Sequence, residues 1–298
     1  MRYRITHRTD YSYAQPIIRG YNEARLAPRS TAVQSVHNHG VTIYPAPAYR
    51  AERVDFFGNR ALHFAMQHPH SQLTVTAVSE VELLQSSPEP QLANGMAWEQ
   101  AATATRSDCS PTGLDARQYL LESPQVPLSD EALAYARGSF AAGRAVTDAV
   151  ADLMGRIHQD FAYDPTATTV STPIDRVFRD QRGVCQDFAH LAIACVRSMG
   201  IAARYVSGYL ETLPPPGQEK LQGADASHAW FAVYDPSLGW IDYDPTNNVV
   251  PMDQHITTAW GRDYGDISPL KGVIFGGSGG QRSHVAVDVQ RLANEADP

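Results

Sequence analysis

Cysteine is scarce in this chain, long apolar runs are missing, and basic charge is not in excess. The three cysteines are Cys109, Cys185 and Cys195. An odd, sparse set with no C-x-x-C pair argues against a disulfide framework and against a structural zinc site. No apolar stretch approaches the ~18–20 residues that span a bilayer. The N-terminus, Met1-Arg-Tyr-Arg-Ile-Thr-His7, alternates polar and apolar residues and has no signal-peptide h-region, so a cytoplasmic location is expected. Lys and Arg number 24 against 32 Asp and Glu, a net charge of −8. That balance lends no support to a nucleic-acid or anionic-membrane partner. Asp160-x-x-x-Asp164 lacks the alternating carboxylates and glycine of a calcium loop, and no metal or cofactor is expected.

What remains is an ordinary globular composition of 298 residues, 43% hydrophobic and 19% charged, enough for one large domain or two modest ones. Residues 1–84 read as mostly strand. Arg2-Tyr-Arg-Ile-Thr-His-Arg8, Val41-Thr-Ile-Tyr44 and Leu73-Thr-Val-Thr-Ala-Val-Ser-Glu-Val-Glu-Leu83 alternate with period two, and Phe57-Gly-Asn-Arg60 marks a turn. This part is expected to form a β-sandwich or open barrel. Residues 85–128, rich in Ser, Pro, Ala and Gly and without periodicity, read as a linker.

Helices are expected next. One is short and starts at Asp130. Another carries Val146, Val150, Leu153 and Ile157 on one stripe. A third starts at Thr172-Pro173, with threonine as N-cap and proline at the first helical position. A fourth opens at Cys185, with Phe188, Leu191, Ala192, Cys195, Val196 and Met199 on its apolar face, and Gly200 stops it. Strands are expected over 203–210, 228–234 and 240–244. The stretch 211–227, with Pro214-Pro-Pro-Gly217, reads as a mobile loop between the first two. The tail alternates over His284–Val289 and is expected to close a sheet.

Cys185 carries most of the functional information. A thiol at a helix start sits where unpaired N–H groups and the helix dipole favour negative charge, and the same N–H groups can face a developing oxyanion. Cys195, ten residues on in the same helix, lies on the apolar stripe and reads as a packed core thiol. Cys109 has no acid–base partner in its local sequence. His228 opens a strand and Asp244 ends the next, before Pro245. A hairpin turning at 235–239 brings those two side by side, where an aspartate would fix the imidazole tautomer. Taken singly, each residue has an ordinary reading: a helix-start thiol, a strand histidine, a turn aspartate before proline. Their coherent placement points to nucleophilic catalysis. Asp187, His190 and Asp263 read as supporting or solvated polar groups, and Trp230 and Trp240 as core.

Four blocks resemble the transglutaminase-like superfamily of papain-type folds: Arg182-Gly-Val-Cys-Gln-Asp-Phe-Ala189, Met199-Gly-Ile-Ala-Ala-Arg-Tyr-Val-Ser-Gly-Tyr209, His228-Ala-Trp230, and Gly239-Trp-x-x-Tyr-Asp-Pro-Thr-Asn-Asn248. Residues 1–13, Leu26-Ala-Pro-Arg29 and Asp55-Phe-Phe-Gly-Asn59 resemble the N-terminal region of bacterial members, and Gly261-Arg-Asp-Tyr-Gly-Asp-Ile-Ser-Pro269 their C-terminal segment. The resemblance implies an α+β chain. Its parts are an N-terminal β-sandwich-like domain (1–84), a linker (85–128), and a papain-like, transglutaminase-like core of helices on an antiparallel sheet with a C-terminal β segment (129–298). It also implies Cys185 as nucleophile, His228 as base and Asp244 as orienting acid. The implied substrate is a protein or peptide amide, attacked to give a thioester. An amine acceptor would make the enzyme a transglutaminase, and water a deamidase or cysteine protease. The competing expectation is a non-catalytic peptide-binding or scaffold protein that kept the fold.

Overall fold

A computed structural model describes residues 1–84, 95–212, 227–277 and 279–292. The expected loop over 211–227 falls almost wholly outside the described residues, as does the start of the expected linker. Five strands come first: β1 (Arg2–Ala24), β2 (Gln34–Tyr44), β3 (Tyr49–Val54), β4 (Arg60–Met66) and β5 (His70–Leu83). Helices α1 (Trp98–Ser107), α2 (Pro111–Arg117), α3 (Asp130–Arg137) and α4 (Val146–Asp160) follow. A two-residue strand β6 (Ala162–Tyr163) and its parallel partner β7 (Arg182–Gly183) bracket α5 (Ile174–Asp180). Then come α6 (Cys185–Ser198), β8 (Ala203–Leu210), β9 (Ser227–Asp235), β10 (Gly239–Tyr243) and β11 (His255–Gly261). A single-turn α7 (Tyr264–Ile267) leads to β12 (Leu270–Gly276) and β13 (Gln281–Leu292). The chain is α+β with mostly antiparallel sheets.

β1 organises the first layer. Its alternation buries Tyr3, Ile5, His7 and Thr9 and leaves Arg4 and Arg8 in water. The first half of β1 lies between β5 and β13, and beyond an irregularity at 12–17 the second half lies between β4 and β12. The last two strands of the chain therefore belong to the first sheet. The C-terminal β segment expected within 129–298 pairs with β1, whose backbone N–H and C=O groups along that edge it satisfies.

Part of the expected linker of 85–128 is ordered. Residues 98–120 form α1, α2 and a 3-10 turn, and bury Ala101, Ala102, Thr105, Ala116 and Tyr119. Alanine is a strong helix former that leaves no large-residue stripe for a periodicity reading to detect. Ser110 caps α2 by accepting the Gly113 N–H, and Pro111 occupies the first turn. One cap falls elsewhere than expected: α5 starts at Ile174 with Pro173 as its N-cap, and the Thr172 hydroxyl accepts the Thr169 N–H instead.

The second layer is built on α6. It packs against β8 and β9 on one side and against α3, α4 and α5 on others. Every residue from Asp187 to Arg197 is buried, as befits a helix enclosed all round. The sheet beneath it runs β10-β9-β8-β11. β11 is an edge strand, and two carboxamides from the first layer close that edge. Gln34 donates to the Thr257 carbonyl (2.7 Å) and accepts the Thr257 N–H (2.8 Å). Asn59 donates to the Trp260 carbonyl (2.9 Å) and accepts the Trp260 N–H (3.0 Å). Each amide thus occupies a place that a neighbouring strand would fill, which removes an open pairing edge. Beside this seam the Trp260 ring lies between two guanidinium groups, Arg29 at 3.5 Å and Arg204 at 3.8 Å, and Arg204 also faces Trp240 at 4.2 Å.

Asn59→Ala leaves the partly buried N–H and carbonyl of Trp260 without their amide partner. The expected cost is ~1–3 kcal/mol of folding stability, read as a lower urea midpoint. An unchanged midpoint would show that water replaces the amide at this seam.

Candidate active site

The approach to Cys185 is set by a short parallel pairing. Ala162–Tyr163 pairs with Arg182–Gly183, and Asp164 donates its N–H to the Gly183 carbonyl (2.9 Å). Asp187, in the first turn of α6, folds back to accept the Val184 N–H (2.8 Å) and the Thr168 hydroxyl (2.6 Å). A side chain on Gly183 would meet that carboxylate at 2.7 Å, so glycine is required for the fold-back. An acidic group in the first turn also suits the helix dipole. Cys185 is therefore the first residue of a buried, capped helix and is itself half-buried.

β9 and β10 pair with Gly239 across from Asp235 and Tyr243 across from Phe231. Extended one step, this register sets Asp244 across from Trp230, so His228 is its diagonal neighbour on the same face. The expected hairpin is present, and the two side chains meet: His228 Nε2 lies 2.8 Å from Asp244 Oδ2. Asp244 and Cys185 are the two groups whose influence favours the charged form of the His228 imidazole. With Nε2 committed to Asp244, Nδ1 is the nitrogen left for the thiol.

Asp244 is fully buried, and its carboxylate is saturated with donors. Oδ1 accepts the backbone N–H groups of Thr246 (3.0 Å) and Asn247 (3.2 Å). Oδ2 accepts His228, the Asn247 amide (2.7 Å) and His255 Nε2 (2.9 Å). The turn that supplies the first two donors is closed by reciprocal backbone bonds between Asp244 and Val249. Burial alone would raise the Asp244 carboxyl, but the His228 and His255 bonds outweigh it and hold it well below the usual carboxylate range. Burial alone would lower His228. The bond to Asp244 and the influence of Cys185 reverse that and push it up to about 10.

Sequence reasoning brought Cys185, His228 and Asp244 forward, and the fold gathers all three. It missed His255 and Asn247. Asn247 stands in the Asp-Pro-Thr-Asn-Asn block beside a recognised residue, which was a usable signal. His255 opens an alternating strand with no motif around it. Asp187, His190 and Asp263 are buried supports rather than solvated groups: His190 accepts the Tyr264 N–H (3.1 Å), and Asp263 accepts those of Gln125 and Gly265. Cys195 is a packed core thiol whose pKa burial drives far up. Cys109 is exposed. Among the described residues, His228, Asp244 and His255 are the one set whose ligand atoms converge closely enough to hold a metal, within 4.8 Å. Their contacts have hydrogen-bond lengths, and the shared oxygen also accepts an amide, so protons satisfy this set as it stands.

Residues 3–82 match the bacterial transglutaminase-like N-terminal region, and residues 134–245 match the transglutaminase-like superfamily. An uncharacterized protein of Mycobacterium tuberculosis strain H37Rv is 40% identical over 299 residues, which covers 99% of this chain and 94% of that protein. The chain belongs to the transglutaminase-like superfamily. A protein-glutamine gamma-glutamyltransferase of Pseudomonas aeruginosa is 37% identical over 106 residues, 34% of this chain and 16% of that one. A solved structure from Cytophaga hutchinsonii, provisionally assigned as a cysteine protease, superposes with a TM-score of 0.76 at 21% identity. The alignment covers 100% of this chain and 93% of that one, and shows a shared fold. Asn247 and His255 lie beyond the superfamily segment, which ends at residue 245.

Two outcomes follow from the transglutaminase-like site. Iodoacetamide should modify Cys185 in the folded protein and leave Cys195 untouched until unfolding, as peptide mapping would read. Equal labelling of both would overturn the assignment. For pH, folding raises the His228 pKa from 6.5 to about 10. Its contribution to stability is therefore complete below pH 6.5 and lost as pH rises through about 10. The Tm advantage of the wild type over His228→Ala should shrink steadily across that window; an advantage constant from pH 6 to 10 would refute the linkage.

Proposed function

We propose that this chain is an enzyme that cleaves protein or peptide amides through a thioester on Cys185. One observation carries the reading. Cys185, the first residue of a buried helix, acts together with Asp244 on the His228 imidazole, whose Nε2 is 2.8 Å from that buried, five-donor carboxylate. Held between an acid that stays ionised and a thiol, His228 serves as the proton carrier.

The Cys185 sulfur adds to the amide carbonyl carbon, and the carbonyl electrons move to oxygen. N–H groups at the α6 N-terminus, that of Cys185 first, face the developing oxyanion. As the oxyanion collapses, the C–N bond breaks and the His228 imidazolium gives its proton to the departing nitrogen. Neutral His228 then takes a proton from an incoming amine or water, which attacks the thioester and returns the thiol to its resting state. Tyr163 and Val170 stand exposed on the segment beside the thiol, and the Gln186 amide, bonded to the Val170 carbonyl at 3.0 Å, ties that segment to α6.

The test is incubation of the protein with glutamine-containing peptides, with and without a primary amine, followed by mass spectrometry. Net amine addition with loss of ammonia names a transglutaminase, a one-unit mass gain a deamidase, and backbone scission a protease. No product in any arm would leave the non-catalytic scaffold reading standing. Cys185→Ala should abolish turnover with an unchanged Tm. Asp244→Asn should cost up to ~10⁴ in rate, by analogy with tautomer loss in serine proteases.

A further inference from the structure

His255 is a buried imidazole that the proposed chemistry does not use. It leads β11 at the edge of the sheet, two strands away from His228 on β9. Its side chain is 6% exposed, and its Nε2 lies 2.9 Å from the Asp244 oxygen that also accepts His228. The space for this crossing comes from β8. Gly208 is paired with His228 on one side and Thr257 on the other. A Cβ there would run into the Ile256 carbonyl oxygen and the Trp230 ring. The Trp230 ring lies in that space, with His255 edge-on to it at 5.1 Å and His228 tilted over it at 6.1 Å. Both imidazoles are thus seated on one indole and aimed at one oxygen.

We infer that His255 is a positioning residue of this site, which holds Asp244 Oδ2 in the line that orients His228. The turn donors on Oδ1 fix one end of the carboxylate. Rotation of the other end is stopped by donors that arrive from different elements: Asn247 from the same turn, and His255 from a strand fixed to the first sheet. His255 reaches neither the thiol nor the amide. It acts through Asp244, and it needs only an N–H at the Nε2 position to do so. The inference deepens the thioester reading and rests on it.

Chloroacetamide alkylation of Cys185, followed across pH, tests this without a substrate. In the wild type, Cys185 should react faster than exposed Cys109, and the excess should vanish in His228→Ala. If there is no excess, the triad reading itself fails. Given the excess, folded His255→Ala should lose at least ~10-fold of it at neutral pH, the scale of one lost hydrogen bond to a charged group. The low-field proton resonance of the His228–Asp244 bond should broaden or shift with it. His255→Gln keeps an N–H near the Nε2 position and should stay within about threefold of wild type. The positioning role is overturned if folded His255→Ala keeps the wild-type pH profile. It is also overturned if folded His255→Gln loses ~10-fold, a result that decides the question even where the alanine protein does not fold.

Discussion

A carboxylate with no exposed surface is the constraint around which the second layer is arranged. Burying an unpaired ion is costly, and a protein answers either by protonating it or by surrounding it with donors. Asp244 is surrounded: two backbone N–H groups, one amide and two imidazoles converge on it. Those donors come from the 244–249 turn, from β9 and from β11, so the antiparallel order β10-β9-β8-β11 is a condition of the charge being there. The same anion opposes the effect of burial on His228 and favours the charged form of its ring.

That dependence reaches into the first layer. β11 delivers His255, and the outer edge of β11 is held by Gln34 and Asn59. The N-terminal strands therefore supply a missing neighbour to the sheet that carries the site. They are in turn closed by β12 and β13 from the far end of the chain. Arg204, buried and facing Trp240 and Trp260, sits at the same seam, where burial pushes its guanidinium down to about 10. A guanidinium stacked on indoles keeps its charge at neutral pH with a flat, well-packed surface. The two layers share one polar and aromatic joint, so a loss at the joint weakens the sheet under the site.

Local signals were readable in the sequence. Cys185 and Cys195 separate because one precedes an apolar stripe and the other lies on it. The hairpin that joins His228 to Asp244 follows from strand lengths and a turn, even though the register is diagonal rather than direct. Signals that depend on distance along the chain were not readable. His255 has no motif because its partner is on another strand and the contact passes over a third. The helices at 98–117 were hidden because alanine-rich faces pack closely without large apolar residues. The tail was read correctly as strand, but its partner at the opposite terminus leaves no trace in local periodicity.

The two kinds of donor on Asp244 have different consequences for a reaction in which His228 changes charge. The backbone N–H groups and the Asn247 amide do not titrate, so they stabilise the anion equally while the imidazole is cationic and while it is neutral. Were His228 the sole partner, each proton it gave up would leave Asp244 a buried, poorly compensated charge, and the carboxyl would compete for that proton. With the other donors in place, the carboxylate is stabilised whichever charge the ring carries, so in the proposed reaction the proton would pass between sulfur, imidazole and the departing or arriving group. In that proposal the saturation of Asp244 does more than orient a ring: it would confine proton movement to the Cys185 side of the imidazole.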